Sequence, residues 1–169
     1  MAGAVSLCRR SEAGTEGADT PSMTTHTESR TLPYSAELMY AIVADVEKYP
    51  QFLPWVTGLR IVRRISDTAF DAEMRVGFAG LSERYVSRVT LDPVVHSIDV
   101  VKTEGGPFRR LENRWRFTPS GESRCTVDFS IAFEFRNALL NAVAGRAFQA
   151  VMLQMAGAFE ARARVLSRK

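Results

Sequence analysis

The segment VADVEKYPQFLPW, residues 43–55, marks the point where this chain changes from helix to extended structure. Apolar residues recur three or four positions apart up to this segment, which predicts an amphipathic helix over 36–46 with Ser35 as its N-cap. Pro50 and Pro54 then remove two backbone donors and bend the chain. Large apolar side chains cluster at the bend: Tyr49, Phe52, Leu53 and Trp55. The bend is therefore either a corner plugged into the core or a lid over an apolar cavity.

Alternating apolar and polar residues dominate the chain on both sides of this helix and predict β-strands. The predicted strands cover residues 24–32, 59–65, 70–78, 84–91, 95–102, 110–117 and 126–135. Short turns join the last six strands, which indicates an antiparallel meander, and the first strand is expected at an edge. One face of this sheet is apolar and the other is charged, so the apolar face needs a cover.

A helix predicted over 138–166 supplies that cover, because its apolar residues form a continuous stripe. Its 29 residues would span about 43 Å. The predicted fold class is α+β. It is a helix-grip fold in which a curved antiparallel sheet of about seven strands wraps around the long C-terminal helix. A short helical segment follows the first strand.

Composition narrows the functional classes. The net charge of +3 is mild, and no apolar run approaches the roughly 18 residues that cross a bilayer. His26 and His96 have no metal-ligating neighbours at suitable spacing, and two cysteines make neither a disulfide framework nor a metal site. Residues 1–23 are polar and aperiodic, which predicts a disordered N-terminal extension before a single domain over 24–169. Met23 is a candidate for the true translation start.

The predicted C-terminal helix carries many small residues beside Phe148, Met152 and Met155. A curved sheet and one helix do not fit together perfectly, and small residues next to flexible methionines can line a cavity. Apolar cavities with few polar groups are the usual form of a small-molecule site. Ordinary tight packing of the helix on the sheet is the alternative.

Several motifs resemble the coenzyme Q-binding START-domain family, within the polyketide cyclase/dehydrase and lipid transport superfamily. The most specific are Tyr49-Pro50-Gln51-Phe52-Leu53-Pro54-Trp55 and Gly106-Pro107-Phe108-Arg109-Arg110-Leu111. Shorter matches are Val76-Gly77-Phe78, Trp115-Arg116-Phe117, Val127-Asp128-Phe129, Phe133-Glu134-Phe135 and Phe159-Glu160-Ala161-Arg162-Ala163. The resemblance covers residues 25–166.

This resemblance implies a hydrophobic tunnel that binds ubiquinone or its isoprenoid tail, in a carrier or chaperone that supports respiratory electron transport. A bacterial branch of the family consists of ribosome-association toxins, which are said to block subunit joining. Together with the apolar face and the helix composition, the resemblance gives a set of candidate ligand-binding residues: Phe52, Pro54, Trp55, Phe78, Tyr85, Asn113, Trp115, Phe133, Phe148, Val151, Met152 and Met155. It favours the lid interpretation of residues 43–55, with Phe52 and Trp55 as an apolar lip.

Catalysis is not expected, because the apolar face carries no histidine and no pair of carboxylates, although superfamily relatives include aromatase/cyclases. Tyr85, Ser87 and Asn113 are interpreted as hydrogen-bonding partners of a quinone carbonyl or as satisfied core groups. Phe108, Arg109 and Arg110 are predicted to contact a membrane surface. The expected partners are therefore a polyprenyl quinone or other lipid and the inner-membrane surface, with the ribosome as the alternative. No cofactor and no DNA partner are expected, and the expected location is the cytoplasm or the cytoplasmic face of the inner membrane.

Overall fold

A computed structural model describes residues 23–78 and 80–168 of the chain, without the side chains of Phe78, Leu81 and residues 143–149. The predicted N-terminal extension therefore lies, apart from Met23, outside the described residues. The same is true of the side chains of Phe78 and Phe148, two of the candidate ligand-binding residues.

Seven antiparallel strands form one sheet in the order β1-β7-β6-β5-β4-β3-β2. Their bounds are β1 Thr24–Leu32, β2 Val56–Ser66, β3 Ala69–Phe78, β4 Leu81–Asp92, β5 Ser97–Gly105, β6 Phe108–Pro119 and β7 Cys125–Phe135. β2 to β7 form the predicted meander, and β1 closes back on β7 with Thr24 opposite Phe133 and Leu32 opposite Cys125. The predicted α+β class, the meander and the edge position of β1 are confirmed.

The first helix is shorter than the sequence pattern predicts. α1 covers Ala36–Ala44, and Ser35 caps it by accepting a hydrogen bond from the Leu38 N–H at 3.2 Å. At Asp45 the backbone leaves the helical region, and a 3-10 helix follows over Val46–Gln51. That helix includes Pro50, because its terminal bonds, from Lys48 N to Asp45 O and from Phe52 N to Tyr49 O, do not use the donor that proline lacks.

The long helix α2 has the predicted bounds, Ala138–Leu166. The side chain of Asn137 caps its first turn by accepting from Leu139 N at 2.8 Å. Asn141 fixes the start of the helix to the end of β7, since it accepts from Phe135 N at 2.9 Å and donates to Phe135 O at 3.2 Å. These bonds determine where α2 enters the concave side of the sheet.

The turn between β5 and β6 is tighter than the sequence predicts. Gly105 and Gly106 both adopt φ +73°, a conformation that favours glycine. A β-carbon at Gly106 would lie 2.9 Å from the Tyr85 Cβ, so the turn packs directly on β4. β6 therefore begins at Phe108, which belongs to the strand, whereas the predicted strand starts only at residue 110.

The two faces of the sheet differ in chemistry. The concave face carries the apolar core, in which Phe117 and Phe133 are almost fully buried. It is covered by α1 and α2, and Phe159 and Ala163 of α2 are 3% and 0% exposed. Cys125 at the start of β7 is a buried free thiol, and burial raises its pKa. The convex face carries the charged residues of the alternating pattern.

Candidate functional site

The interior between α2 and the concave face has aromatic residues at both ends. At the end near the C-terminus of α2, Phe159 contacts Tyr49, Phe52 and Trp115 through edge-to-face ring pairs with centroids 5.2–5.4 Å apart. The Arg162 guanidinium lies 5.5 Å from the Phe52 ring centroid. These contacts close this end of the interior.

The bend at residues 43–55 therefore packs against the end of α2. The Tyr49 hydroxyl donates to Val43 O at 2.5 Å, and burial raises the pKa of this phenol well above its usual range. Phe52 and Trp55 are half-buried against the core, whereas Pro54 is exposed. Phe52 thus seals the edge of the core against Phe159, and a role for these rings as the lip of an entrance stays a prediction.

At the opposite end, Phe108 is the centre of a second aromatic cluster. Its ring stacks on Phe135 at 4.8 Å and makes edge contacts with Tyr85 at 5.8 Å and Phe133 at 6.3 Å. Arg109 pairs with Glu134 at 3.2 Å and Arg110 with Glu112 at 3.2 Å. The structure therefore places Phe108 against the core, before the start of the strand that the sequence predicts over 110–117. The membrane contact predicted for these three residues stays untested.

Between the two clusters, the concave face carries polar atoms without partners. Ser87 Oγ on β4 and Asn113 Oδ1 on β6 are buried, and neither has a hydrogen-bond partner in the part of the chain that the structure describes. Ser87 is 6% exposed. Leaving a buried polar group unpaired costs about 1–3 kcal/mol, so two such atoms in one interior need an explanation.

Tyr85 is the third polar group of this interior. Its hydroxyl donates to the Met74 sulfur at 3.2 Å, and a thioether is only a weak acceptor. Burial raises the pKa of Tyr85 to about 12, so the phenol keeps its proton at neutral pH. Tyr85 is therefore a hydrogen-bond donor that a carbonyl oxygen could engage more strongly than Met74 does.

The packing of α2 leaves a void of about 40 Å³ next to β1, β6 and β7. Its walls include Trp115, Met152 and Met155, three of the predicted ligand-binding residues, together with Phe129 and Phe159. Drug-sized ligands need about 300–1,000 Å³, so this void could hold only a small part of one. Val151 is half-buried and Phe133 is buried, and both belong to the same core.

Sequence reasoning missed a polar strip on the concave side of β1, and the expectation that this face carries no histidine is wrong. Glu28 pairs with Arg30, and His26 Nε2, which is buried, lies 3.8 Å from the second Glu28 oxygen. Glu28 and Arg30 border the void beside α2. The alternation of β1 could have revealed this strip, because residues 24, 26, 28, 30 and 32 share the face that carries Leu32.

The convex face carries a group of arginines around one carboxylate. Arg60, Arg75 and Arg84 approach Glu73 at 3.2, 3.8 and 3.6 Å, and their side chains are exposed. Beside them Arg88 holds Asp71 through bonds of 2.7 and 3.1 Å, which lower the pKa of that carboxyl. The arginines outnumber the carboxylates, so this part of the surface is positive.

The described residues contain no group of three or more side chains suited to a metal ion. Among them, no helix combines the length and the apolar character needed to cross a membrane.

The profile of the polyketide cyclase/dehydrase and lipid transport family matches residues 32–160. The chain belongs to this family. The resemblance inferred from the motifs is thereby confirmed, and the matched residues run from the end of β1 into the last turns of α2.

Two curated relatives have names from different functional classes. The chain is 39% identical over 141 residues to the mitochondrial coenzyme Q-binding protein COQ10 homolog B of Xenopus laevis, covering 82% of this chain and 57% of that protein. It is 38% identical over 133 residues to the ribosome association toxin RatA of Escherichia coli, covering 79% of this chain and 82% of the toxin. The chain thus spans little more than half of the frog protein.

Solved structures share the fold. An 18 kDa protein from Caulobacter crescentus is 38% identical, with a TM-score of 0.72 over 86% of this chain and 99% of that one. A START superfamily protein from Mycobacterium smegmatis is 23% identical, with a TM-score of 0.75 over 84% and 98% of the two chains. The helix-grip prediction is confirmed by this likeness.

Proposed function

We propose that this protein binds a polyprenyl quinone, such as ubiquinone, between α2 and the concave face of the sheet and carries it without chemical change. The observation that carries the proposal is a pair of buried atoms, Ser87 Oγ and Asn113 Oδ1, that have no partner among the described residues, in an interior lined mostly by aromatic and aliphatic groups. The name of the frog relative supports the choice of ligand.

The hydrogen-bonding chemistry suits a quinone ring. Ser87 and Tyr85 have O–H donors for a quinone carbonyl, which only accepts, while Asn113 Oδ1 can accept from the hydroxyl of the reduced quinol. The phenol of Tyr85, with its pKa raised to about 12, is suited to donate and unsuited to act as a base at neutral pH. We therefore propose no catalytic role for it and do not propose the aromatase/cyclase alternative.

The isoprenoid tail would occupy the apolar interior along α2. The helix runs from Asn141, bonded to Phe135, to Phe159, packed on Trp115, and so passes the rows of the sheet that carry Phe133 and Asn113. Because the void beside Met152 and Met155 is small, binding requires these flexible side chains to move apart. Burying the tail would then contribute about 25 cal/mol per Å² of apolar surface.

The test is organic extraction of the purified protein followed by mass spectrometry, together with titration of a short-chain ubiquinone. We expect co-purified quinone or isoprenoid and saturable binding. Tyr85→Phe should weaken binding about fivefold, the value of one hydrogen bond. Tyr40→Phe, which removes the hydroxyl of a ring packed on His96 and Phe117, should leave the affinity unchanged. Absence of any quinone, together with no saturable binding, would refute the proposal.

The second candidate function is association with the ribosome. Two observations favour it: the positive convex surface around Arg60, Arg75 and Arg84, and the similarity to the Escherichia coli toxin over most of its length. Exposed arginines bind RNA phosphates through salt-dependent contacts. Expression of the protein should then lower the fraction of joined ribosomes in a sucrose gradient. Expression of the Arg84→Glu variant instead should leave that fraction near its normal value. An unchanged gradient would exclude this function.

A further inference from the structure

The outward side of α2 has an unusual composition for a surface helix. Its exposed residues include Leu139, Ala142, Ala150, Leu153, Gly157 and Ala161, which we call the outer face. At 100° per residue these six positions fall within a single stripe. Leu139 is 69% exposed and Leu153 is 63% exposed. Solvent-facing sides of helices are normally charged, so the outer face indicates a contact with a partner.

Among the residues whose side chains the structure describes, cationic side chains lie at both ends of this stripe. Among the described exposed residues of α2, Arg164 is the only charged one, and it lies in the last turn. Arg168 is exposed just beyond the helix, and Arg136 is exposed just before it. Glu160 falls in the same stripe by this count. It is half-buried and lies 3.9 Å from Arg164, which offsets its charge. Among the residues whose side chains the structure describes, the outer face is thus uncharged from Ala150 to Ala161 except for Glu160, and cationic residues lie at both ends of the helix.

This distribution distinguishes between two possible occupants. If two copies packed α2 against α2, the cationic ends would meet cationic ends in either the parallel or the antiparallel arrangement, and the charges would repel. An anionic bilayer accepts both features. Leucine side chains enter the boundary between headgroups and acyl chains, and arginines at either end meet phosphates.

We propose that the outer face of α2 docks on the surface of an anionic phospholipid bilayer. Leu139 and Leu153, about 21 Å apart along the helix, would enter the interface. Arg136, Arg164 and Arg168 would contact lipid phosphates. This surface differs from the one that the sequence suggests, because Phe108 packs against Phe135 while the leucines of α2 are exposed. The docking surface does not depend on a quinone ligand.

Sedimentation with vesicles that contain no quinone tests this proposal. The wild-type protein should bind vesicles of phosphatidylcholine and phosphatidylglycerol more tightly than pure phosphatidylcholine. Leu153→Glu should weaken that binding at least about tenfold, because it puts an acid into the apolar stripe. The control is Val94→Glu, which also replaces an exposed aliphatic residue by glutamate. Val94 is 86% exposed on the β4–β5 turn, and this variant should bind vesicles like the wild type.

Circular dichroism and thermal unfolding would check that each variant folds. Ala150→Glu repeats the test at a small exposed residue where glutamate is a good helix former. Equal binding by Leu153→Glu, Ala150→Glu and Val94→Glu, or no binding by the wild type, would overturn the proposal. A wild-type dimer in analytical ultracentrifugation that Leu153→Glu dissociates would assign the outer face to a second copy and would also overturn it.

Discussion

The buried polar groups on the two faces of the sheet differ in whether they have hydrogen-bond or ion-pair partners. On the convex face, the carboxylates of Asp71 and Glu73 are each held by arginines. On the concave face, Ser87 Oγ and Asn113 Oδ1, on neighbouring parts of the same sheet, have no partner among the described residues. Asp71 on β3 is paired on the convex face, whereas Ser87 on the adjacent strand β4 has no partner among the described residues on the concave face. This difference indicates that the concave face is adapted to something besides stability.

The largest expected effect tests whether the concave interior is packed at the C-terminal end of α2. Phe159→Ala removes the ring that contacts Tyr49, Phe52 and Trp115, and should lower the free energy of unfolding by about 3–5 kcal/mol. Urea denaturation would measure this decrease in the free energy of unfolding. Leu153→Ala, on the exposed side of the same helix, is the control and should change it by less than about 0.5 kcal/mol. A small loss for Phe159→Ala would mean that this end is loosely packed.

The next prediction addresses the unpartnered atoms directly. Ser87→Ala and Asn113→Leu should each raise the free energy of unfolding of the ligand-free protein by about 1 kcal/mol, because each removes a buried unpaired group. Each should also weaken quinone binding about fivefold. Ser130→Ala on the convex side of β7 should do neither.

Thermal unfolding and ligand titration of these three variants would distinguish the two concave-face substitutions from the convex-face control. Stabilisation with loss of binding is the pattern expected of a ligand site, where stability is given up for function. If Ser87→Ala and Asn113→Leu lower the stability of the ligand-free protein, the contrast between the faces is wrong.

The smallest effect concerns pH and the convex face. Arg88 lowers the pKa of Asp71 below its usual value of 3.8, so the pair contributes stability above that pH. That contribution is lost as the pH falls from 3.8 through the lower folded pKa. Wild type should therefore lose more stability than Asp71→Asn between pH 6 and pH 3 in urea denaturation. Quinone binding by Asp71→Asn should be unchanged at neutral pH. A change in affinity would mean that the Asp71–Arg88 pair on the convex face affects the ligand site on the concave face.

Most of the fold could be predicted from the sequence because its elements have strong patterns. The alternation in Val127–Phe135 and the stripe of α2 each have one dominant period, and the stripe predicts α2 with its observed bounds. The 3-10 helix with Pro50 was missed, because proline usually ends a helix and the compensating bonds from Lys48 and Phe52 are local geometry that the pattern does not encode.

The site was less predictable, since it depends on contacts between distant residues. Alternation puts Tyr85 and Asn113 on the concave face. Only the packing reveals that Asn113 Oδ1 has no partner among the described residues and that Tyr85 has a sulfur as its acceptor. Phe108 was misplaced for the same reason. Its position beside two glycines suggests a loop, whereas its strand begins directly after a two-glycine turn that packs on Tyr85.

The buried thiol of Cys125 gives experimenters an intrinsic reporter of local opening. Its exposed fraction is 0% at the point where β7 pairs with the end of β1, so a thiol reagent can modify it only when the packing around this end of β7 opens. In a Cys8→Ser variant, the rate of modification under native conditions would measure the free energy of that opening. Comparing the rate with and without quinone would show whether a ligand under α2 stabilises this end of the sheet, without introducing a new cysteine into the protein.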